Sequence, residues 1–233
     1  MTSFSSPSEV FSLLNAAEAE YLVLRNYENL AECDTFLMEG HPDIDILCRD
    51  SQAIVRILDA QTTRKDKPPF KGDGTHYYIY VAGKKVGLDL RHIGDGYYCK
   101  SWEENMLARK IPLGDFFVMC PEDHFFSLVY HAILQKNELS QEYQVRLADM
   151  AVKMNIQIKK TDTPSFLAEL QRFMKENGYR FEYSKDKTVP CRFHLIDRNL
   201  VVRNTRLFLR HWRFDTKVSL IEKLVNIKHA LLG

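Results

Sequence analysis

A surplus of either charge is missing from this chain. Its 32 Lys and Arg almost cancel 31 Asp and Glu over 233 residues, a net charge of +1. General nucleic-acid binding, which draws on a basic excess, is therefore not expected. Cysteine is scarce: Cys33, Cys48, Cys99, Cys120 and Cys191 are odd in number and include no CxxC pair. Neither a disulfide framework nor a zinc site is indicated, and a reducing compartment is expected. No run approaches the roughly 18 apolar residues of a membrane span. The opening MTSFSSPSEVFSLL has no basic segment followed by a long apolar one, so no secretion signal is read and a cytoplasmic protein is expected. Internal repeats and low-complexity tracts are lacking too.

What is present is an ordinary globular composition, 45% hydrophobic and 27% charged. SSPSEVFSLLNAAEAE predicts a helix, with Ser6 as N-cap, Pro7 at the first position and Glu9 in capping-box spacing. YLVLRN reads as a short buried strand and DIDILC as a second, with a long loop between. SQAIVRILDAQ has helical spacing, and the Pro-, Gly- and Lys-rich TTRKDKPPFKGDG is a loop. THYYIYV and KKVGLDLRHI alternate as strands about an AGKK turn, and FFVMC suits one more short strand. After Pro121 three amphipathic helices follow, PEDHFFSLVYHAILQK, SQEYQVRLADMAVKM and TPSFLAELQRFMKEN, with TKVSLIEKLVNIKHALL closing the chain. The expected division is an α/β domain over 1–120 and a mainly helical one over 121–233.

The chemistry sits in EGHPDIDILCRD, residues 39–50. Alternation along a strand puts Asp43 and Asp45 on one face while Ile44 and Ile46 enter the core. Two close carboxylates repel unless a cation lies between them, and a hard divalent ion such as Mg2+ or Mn2+ answers that need. In KKVGLDLRHIGDGYY, Val86, Leu88 and Leu90 face the core, so Asp89 and Arg91 share the opposite face. If that strand lies beside DIDILC, Asp43, Asp45 and Asp89 form a three-carboxylate site able to activate a hydroxyl and stabilise a leaving phosphate. Asp95, flanked by glycines, reads instead as a turn residue.

The order helix, strand, loop, D-x-D strand, helix, then a strand with one more Asp resembles the nucleotidyltransferase superfamily, of DNA polymerase β-like fold. The resemblance covers about residues 8–95. YLVLRNYENL…GHPDIDILC…VGLDLRHIGDGYY is similar to nucleotidyltransferase-like proteins of bacterial surface-polysaccharide synthesis. It implies an α+β fold, a small mixed sheet flanked by helices and followed by a helical part. It also implies a transferase moving a nucleotidyl or phospho-alditol group from a nucleotide-containing donor to a sugar or glycan acceptor. The superfamily's Gly-Ser after the first strand is absent; LRNYENL stands there. Arg25 and Asn26 could hold phosphate in its place, since a guanidinium fork matches phosphate oxygens, or could simply close the strand.

Other residues carry two readings each. Arg91 is the ligand contact its face suggests, and His92 a packing residue. His41 either lines the pocket or is only a loop histidine. Lys136, near His131 at a helix end, either approaches a phosphate or complements the helix dipole. Arg203, Arg206, Arg210 and Arg213, spaced 3, 4 and 3 among aromatics, share a helical face. They could rest on an anionic membrane surface, placing the protein at the inner membrane, or pair with acidic residues of the chain. Two rival functions stay open: a nucleotide-sugar glycosyltransferase using the D-x-D, and a non-catalytic nucleotide-binding accessory module. Only about forty residues precede the D-x-D, fewer than a glycosyltransferase generally needs.

Overall fold

The computed structural model describes residues 2–25, 27, 30, 43–63, 76–136 and 138–232. The fold is α+β, as expected: a mixed sheet with helices on both faces. Its strands are β1 (Ser3–Phe4), β2 (Tyr21–Val23), β3 (Asp43–Cys48), β4 (Gln61–Thr62), β5 (His76–Val81), β6 (Lys84–His92), β7 (Ile111–Leu113) and β8 (Phe116–Val118). They run in the order β1-β5-β6-β3-β2-β8-β7, with β4 on β5. The pairs β1/β5, β3/β6 and β2/β8 are parallel, and the remaining pairs are antiparallel.

One face of the sheet is aliphatic. Ile44, Ile46 and Cys48 of β3 and Val86, Leu88 and Leu90 of β6 are all at most 5% exposed on it. They pack with Val10, Phe11 and Leu14 of α1 (Pro7–Ala16) and Ile54 of α2 (Ser51–Ile57). Ser6 caps α1, its hydroxyl accepting the Glu9 amide at 3.3 Å. The Glu9 carboxylate reaches back one residue further than a capping box requires, accepting from the amide and hydroxyl of Ser5. The β5–β6 turn is the two-residue type expected, with φ of 50° at Ala82 and 74° at Gly83; both central residues of such a hairpin turn need positive φ.

The second face meets the rest of the chain. Leu22, Leu24 and Leu47 join a core with Trp102 and Met106 of α3 (Lys100–Ala108), Phe125 and Val129 of α4 (Pro121–Tyr130), Leu147 of α5 (Gln141–Lys153) and Leu170 of α6 (Thr163–Glu176). Asp123, fully buried, ties α3 to α4. It accepts from Trp102 Nε1 at 2.8 Å and Arg109 Nη2 at 2.7 Å.

Several features depart from the sequence reading, which did not contain the short strands β1, β4 and β7. Strand β2 ends at Val23, although Leu24 still donates to the Asp45 carbonyl at 2.9 Å, so the chain turns off the sheet at Arg25. Helix α3 carried no signal, because its N-cap Cys99 makes no side-chain cap bond. The helix after Pro121 widens into a π turn at His131–Gln135. The last helix, α7 (Thr205–Leu232), starts at Thr205 rather than Thr216 and takes in RLFLRHWRF.

Candidate functional site

The parallel β3/β6 register places Asp45 directly opposite Asp89, and Asp43 opposite Gly87. The neighbouring antiparallel register sets His76 opposite Asp89. Pleat alternation therefore gathers Asp43, Asp45 and Asp89 on the face turned away from α1 and α2, where the sheet leaves the aliphatic core of Leu22, Leu24 and Leu47. Asp43 is exposed; Asp45 and Asp89 are half-buried.

Each inner carboxylate has a cationic or imidazole neighbour. Arg25 Nη2 lies 2.8 Å from Asp45 Oδ1, and Arg25 Nη1 donates to Tyr97 Oη at 2.8 Å. His76 Nε2 lies 3.6 Å from Asp89 Oδ2. The two carboxyls are shifted in opposite directions as a result. Burial alone would push Asp45 up, but Arg25 reverses this and holds its carboxyl below the usual range. Burial raises Asp89, and the charges of Asp45 and Asp43 add to it; His76 and Arg91 offset only part.

Tyr97 links two arginines. Arg25 and Arg91 lie 5.6 and 4.4 Å from its ring centroid. Arg91, 5% exposed, pairs through Nη1 with Asp186 Oδ2 at 3.1 Å, and its Nε has no hydrogen-bond partner among the described residues. Gly96, at φ +78°, lets this turn lie against the 183–184 backbone: a Cβ there would stand 2.7 Å from the Tyr183 carbonyl. Asp95 is the turn residue expected, accepting the amides of His92 and Tyr97.

The helical part supplies a wall over Asp45. His131, in the π turn, hydrogen-bonds Gln135 Oε1 through Nδ1 at 2.9 Å and stands 6.1 Å, ring to ring, from Tyr143. Burial and the nearby Arg25 hold its imidazole down at about 3, so it is neutral at physiological pH. His124 Nδ1 and Tyr27 Oη lie 2.7 Å apart, and this imidazole is likewise held down, to about 4, by burial with Arg146 and Arg25. A π turn beside a candidate site is the usual setting of that irregularity.

The structure thus brings Arg25, Asp43, Asp45, Asp89 and Arg91 into one region. Lys136 is exposed directly after the π turn and contributes to the field on His131. Asn26 and His41 lie outside the described residues. His76, Tyr97, His131, Tyr143 and Asp186 were not singled out as site residues from sequence. The GDGYY turn beside Arg91 is the one cue that pointed near Tyr97. Arg203, Arg206, Arg210 and Arg213 are exposed, and none forms an ion pair with a described residue, so no internal acidic partner answers them there.

A divalent ion would find hard oxygen donors in Asp43, Asp45 and Asp89, the kind Mg2+ prefers. As the side chains stand, however, no group of three His, Cys, Asp or Glu among the described residues is arranged to hold a metal. Arg25 instead pairs with Asp45, and His76 stands beside Asp89. The donor set fits in chemistry, with Arg25 competing for one member.

No protein-family model matches the chain, and no curated protein is significantly similar to it. Among solved structures it is similar to an antigenic nucleotidyltransferase-like protein from Paracoccidioides brasiliensis. Identity is 10%, coverage is 74% of this chain and 90% of that one, and the TM-score is 0.36.

Proposed function

We propose that the chain is a phosphorus-group transferase of nucleotidyltransferase type, working on a nucleotide-containing donor at the Asp43, Asp45 and Asp89 face. The observation that supports this most is the direct opposition of Asp45 and Asp89 on parallel strands. Two carboxylates set side by side at a half-buried sheet face carry a repulsion that folding alone does not require. In this reading Asp43, Asp45 and Asp89 hold Mg2+ or Mn2+, which when bound neutralises donor phosphate charge.

The chain's own groups do the remainder. Asp89 orients the acceptor hydroxyl and takes up its proton as that oxygen attacks a phosphorus of the donor and the remainder of the donor leaves with the electron pair of the broken P–O bond. Arg25, fixed by Tyr97, neutralises Asp45 and presents a guanidinium edge to phosphate oxygens. His131 and Tyr143 offer a neutral, flat wall to the non-phosphate part of the donor. The acceptor class, a sugar or surface glycan, follows the family resemblance of the motifs. Phosphorus NMR of the protein with CDP- and UDP-linked donors and Mg2+ tests the reaction. A new phosphodiester or phosphate monoester signal, lost in Asp45→Asn, is the expected result. A glycosidic product with release of nucleoside diphosphate contradicts it and returns the glycosyltransferase reading.

One observation favours a second reading. Arg25 already supplies Asp45 with a cation at 2.8 Å, as suits an accessory module that binds nucleotide without metal or turnover. Nucleotide binding that is equally tight with Mg2+ and with EDTA would select this module.

A further inference from the structure

The first half of α7 carries apolar residues on two sides. Leu207, Phe214 and Val218 are half-buried, and His211 is 3% exposed with Nε2 2.8 Å from the Ser184 carbonyl. That line holds the helix to the body. Away from it, Phe208, Leu209, Trp212 and Leu220 are 46%, 40%, 56% and 56% exposed. At about 100° per residue they cover a sector of roughly 120°. Beside them Arg206, Arg210, Arg213 and Lys217 fall within about 60°. All four are exposed, and none is ion-paired with a described residue. Asp215, the only acid in 205–220, lies toward the His211 side.

At the start of the helix is a cleft of about 520 Å³. Phe208, Tyr183 and Phe193 give it an aromatic lining, and His194, Arg198 and Arg203 stand around it. The same side of the molecule therefore offers exposed aromatics, a row of cations paired with no described residue and a cationic cleft.

The occupant follows from this pattern. A second copy of α7 would need a continuous apolar seam at three- and four-residue spacing. The outward line instead runs Thr205, Leu209, Trp212, Thr216, Ser219, Lys223, broken by hydroxyls and a lysine. A bilayer surface makes no such demand. It takes Trp and Phe into the headgroup boundary while arginines meet anionic lipid phosphates. No helix among the described residues is long and apolar enough to cross a membrane, so the contact is peripheral.

We propose that α7 and the cleft at its start dock on an anionic phospholipid membrane, with the helix lying along the surface. Sedimentation with phosphatidylcholine vesicles, with and without phosphatidylglycerol, tests this. The protein should pellet with the anionic vesicles only, and added salt should release it. Trp212 emission should shift to the blue on binding while Trp102, fully buried, stays constant. The variant Arg206→Gln/Arg210→Gln/Arg213→Gln should lose on the order of a hundredfold in partition, about fivefold per arginine. Trp212→Ala should weaken binding without changing the unfolding midpoint, which keeps the test clear of misfolding. Failure to bind anionic vesicles overturns the proposal, as does equal binding to both compositions or wild-type partition in the triple variant. A concentration-dependent dimer broken by Trp212→Ala would assign the face to a second copy and also overturn it.

Discussion

The two faces of the central sheet are made from the same strands and behave as opposites. Toward α1 and α2, β3 and β6 present Ile44, Ile46, Cys48, Val86, Leu88 and Leu90, uniformly apolar and closed to water. Toward α3–α6 the same strands present Asp43, Asp45, Leu47, Asp89 and Arg91, so that one aliphatic residue stands among five. Alternation along a strand is what allows one six-residue segment to serve both. The first face supplies burial and nothing else. The second accepts desolvated charge and offsets it with arginines, Arg25 on Asp45 and Arg91 on Asp186. One face is apolar throughout, and the other combines an apolar core with the charged groups.

The charged face should therefore break hardest when a single partner is removed. Asp186→Ala leaves the Arg91 guanidinium buried and uncompensated, and should cost about 3–5 kcal/mol in urea unfolding. A loss under about 1 kcal/mol would mean that Arg91 is not desolvated as described. On the aliphatic face Leu88→Ala creates a cavity and should cost about 3 kcal/mol, independent of pH and salt. That independence separates the faces as much as the size does.

Acid sharpens the contrast. His124 and His131 belong to the charged side, and their folded values, about 4 and about 3, lie below the unfolded value near 6.5. A depressed histidine gives stability that is fully present above the unfolded value and is lost as pH falls toward the folded one. Between pH 7 and 5 the protein should lose about 1–2 kcal/mol for each. The His124→Asn/His131→Gln variant should show a flatter profile over that window. Smallest is a surface control: Arg172→Ala, at an exposed helical site with Glu169 and Glu176, should shift stability by a few tenths of a kcal/mol.

Much of this division was legible in the sequence. DIDILC and VGLDLRHI alternate so regularly that strand and facing follow from period two, whereas the approach of Asp89 to Asp45 was conditional on the two strands pairing, which the register supplies. The two helices after the first strands and most of those after Pro121 announce themselves by caps, as Ser140 and Asp162 do. What stayed hidden depends on distant partners. Arg91 and Asp186 are 95 residues apart, and nothing local marks Asp186. Arg25 was read either as a phosphate contact or as a residue closing the strand, and its engagement by Tyr97 was hidden because it arises only when the GDGYY turn folds under it. The π turn at His131 has no pattern distinct from an α-helix. Helix α7 was begun late because its first turns, RLFLRHWRF, are apolar on two sides and so lack one clean stripe.

If Asp89 faces the metal and nucleotide as proposed, it is kept for binding at a cost to the fold. Its carboxyl is raised, so ionising it costs more in the folded than in the unfolded chain, and stability is lost as pH rises from the unfolded value through the folded one. Calorimetric titration of nucleotide with Mg2+, alongside thermal unfolding, on the wild-type protein and Asp89→Asn measures both halves at once. The account predicts a variant that is at least as stable at pH 7.5 and that has lost its Mg2+-dependent nucleotide binding. A variant that is less stable, or one that binds nucleotide with Mg2+ as the parent does, would contradict it.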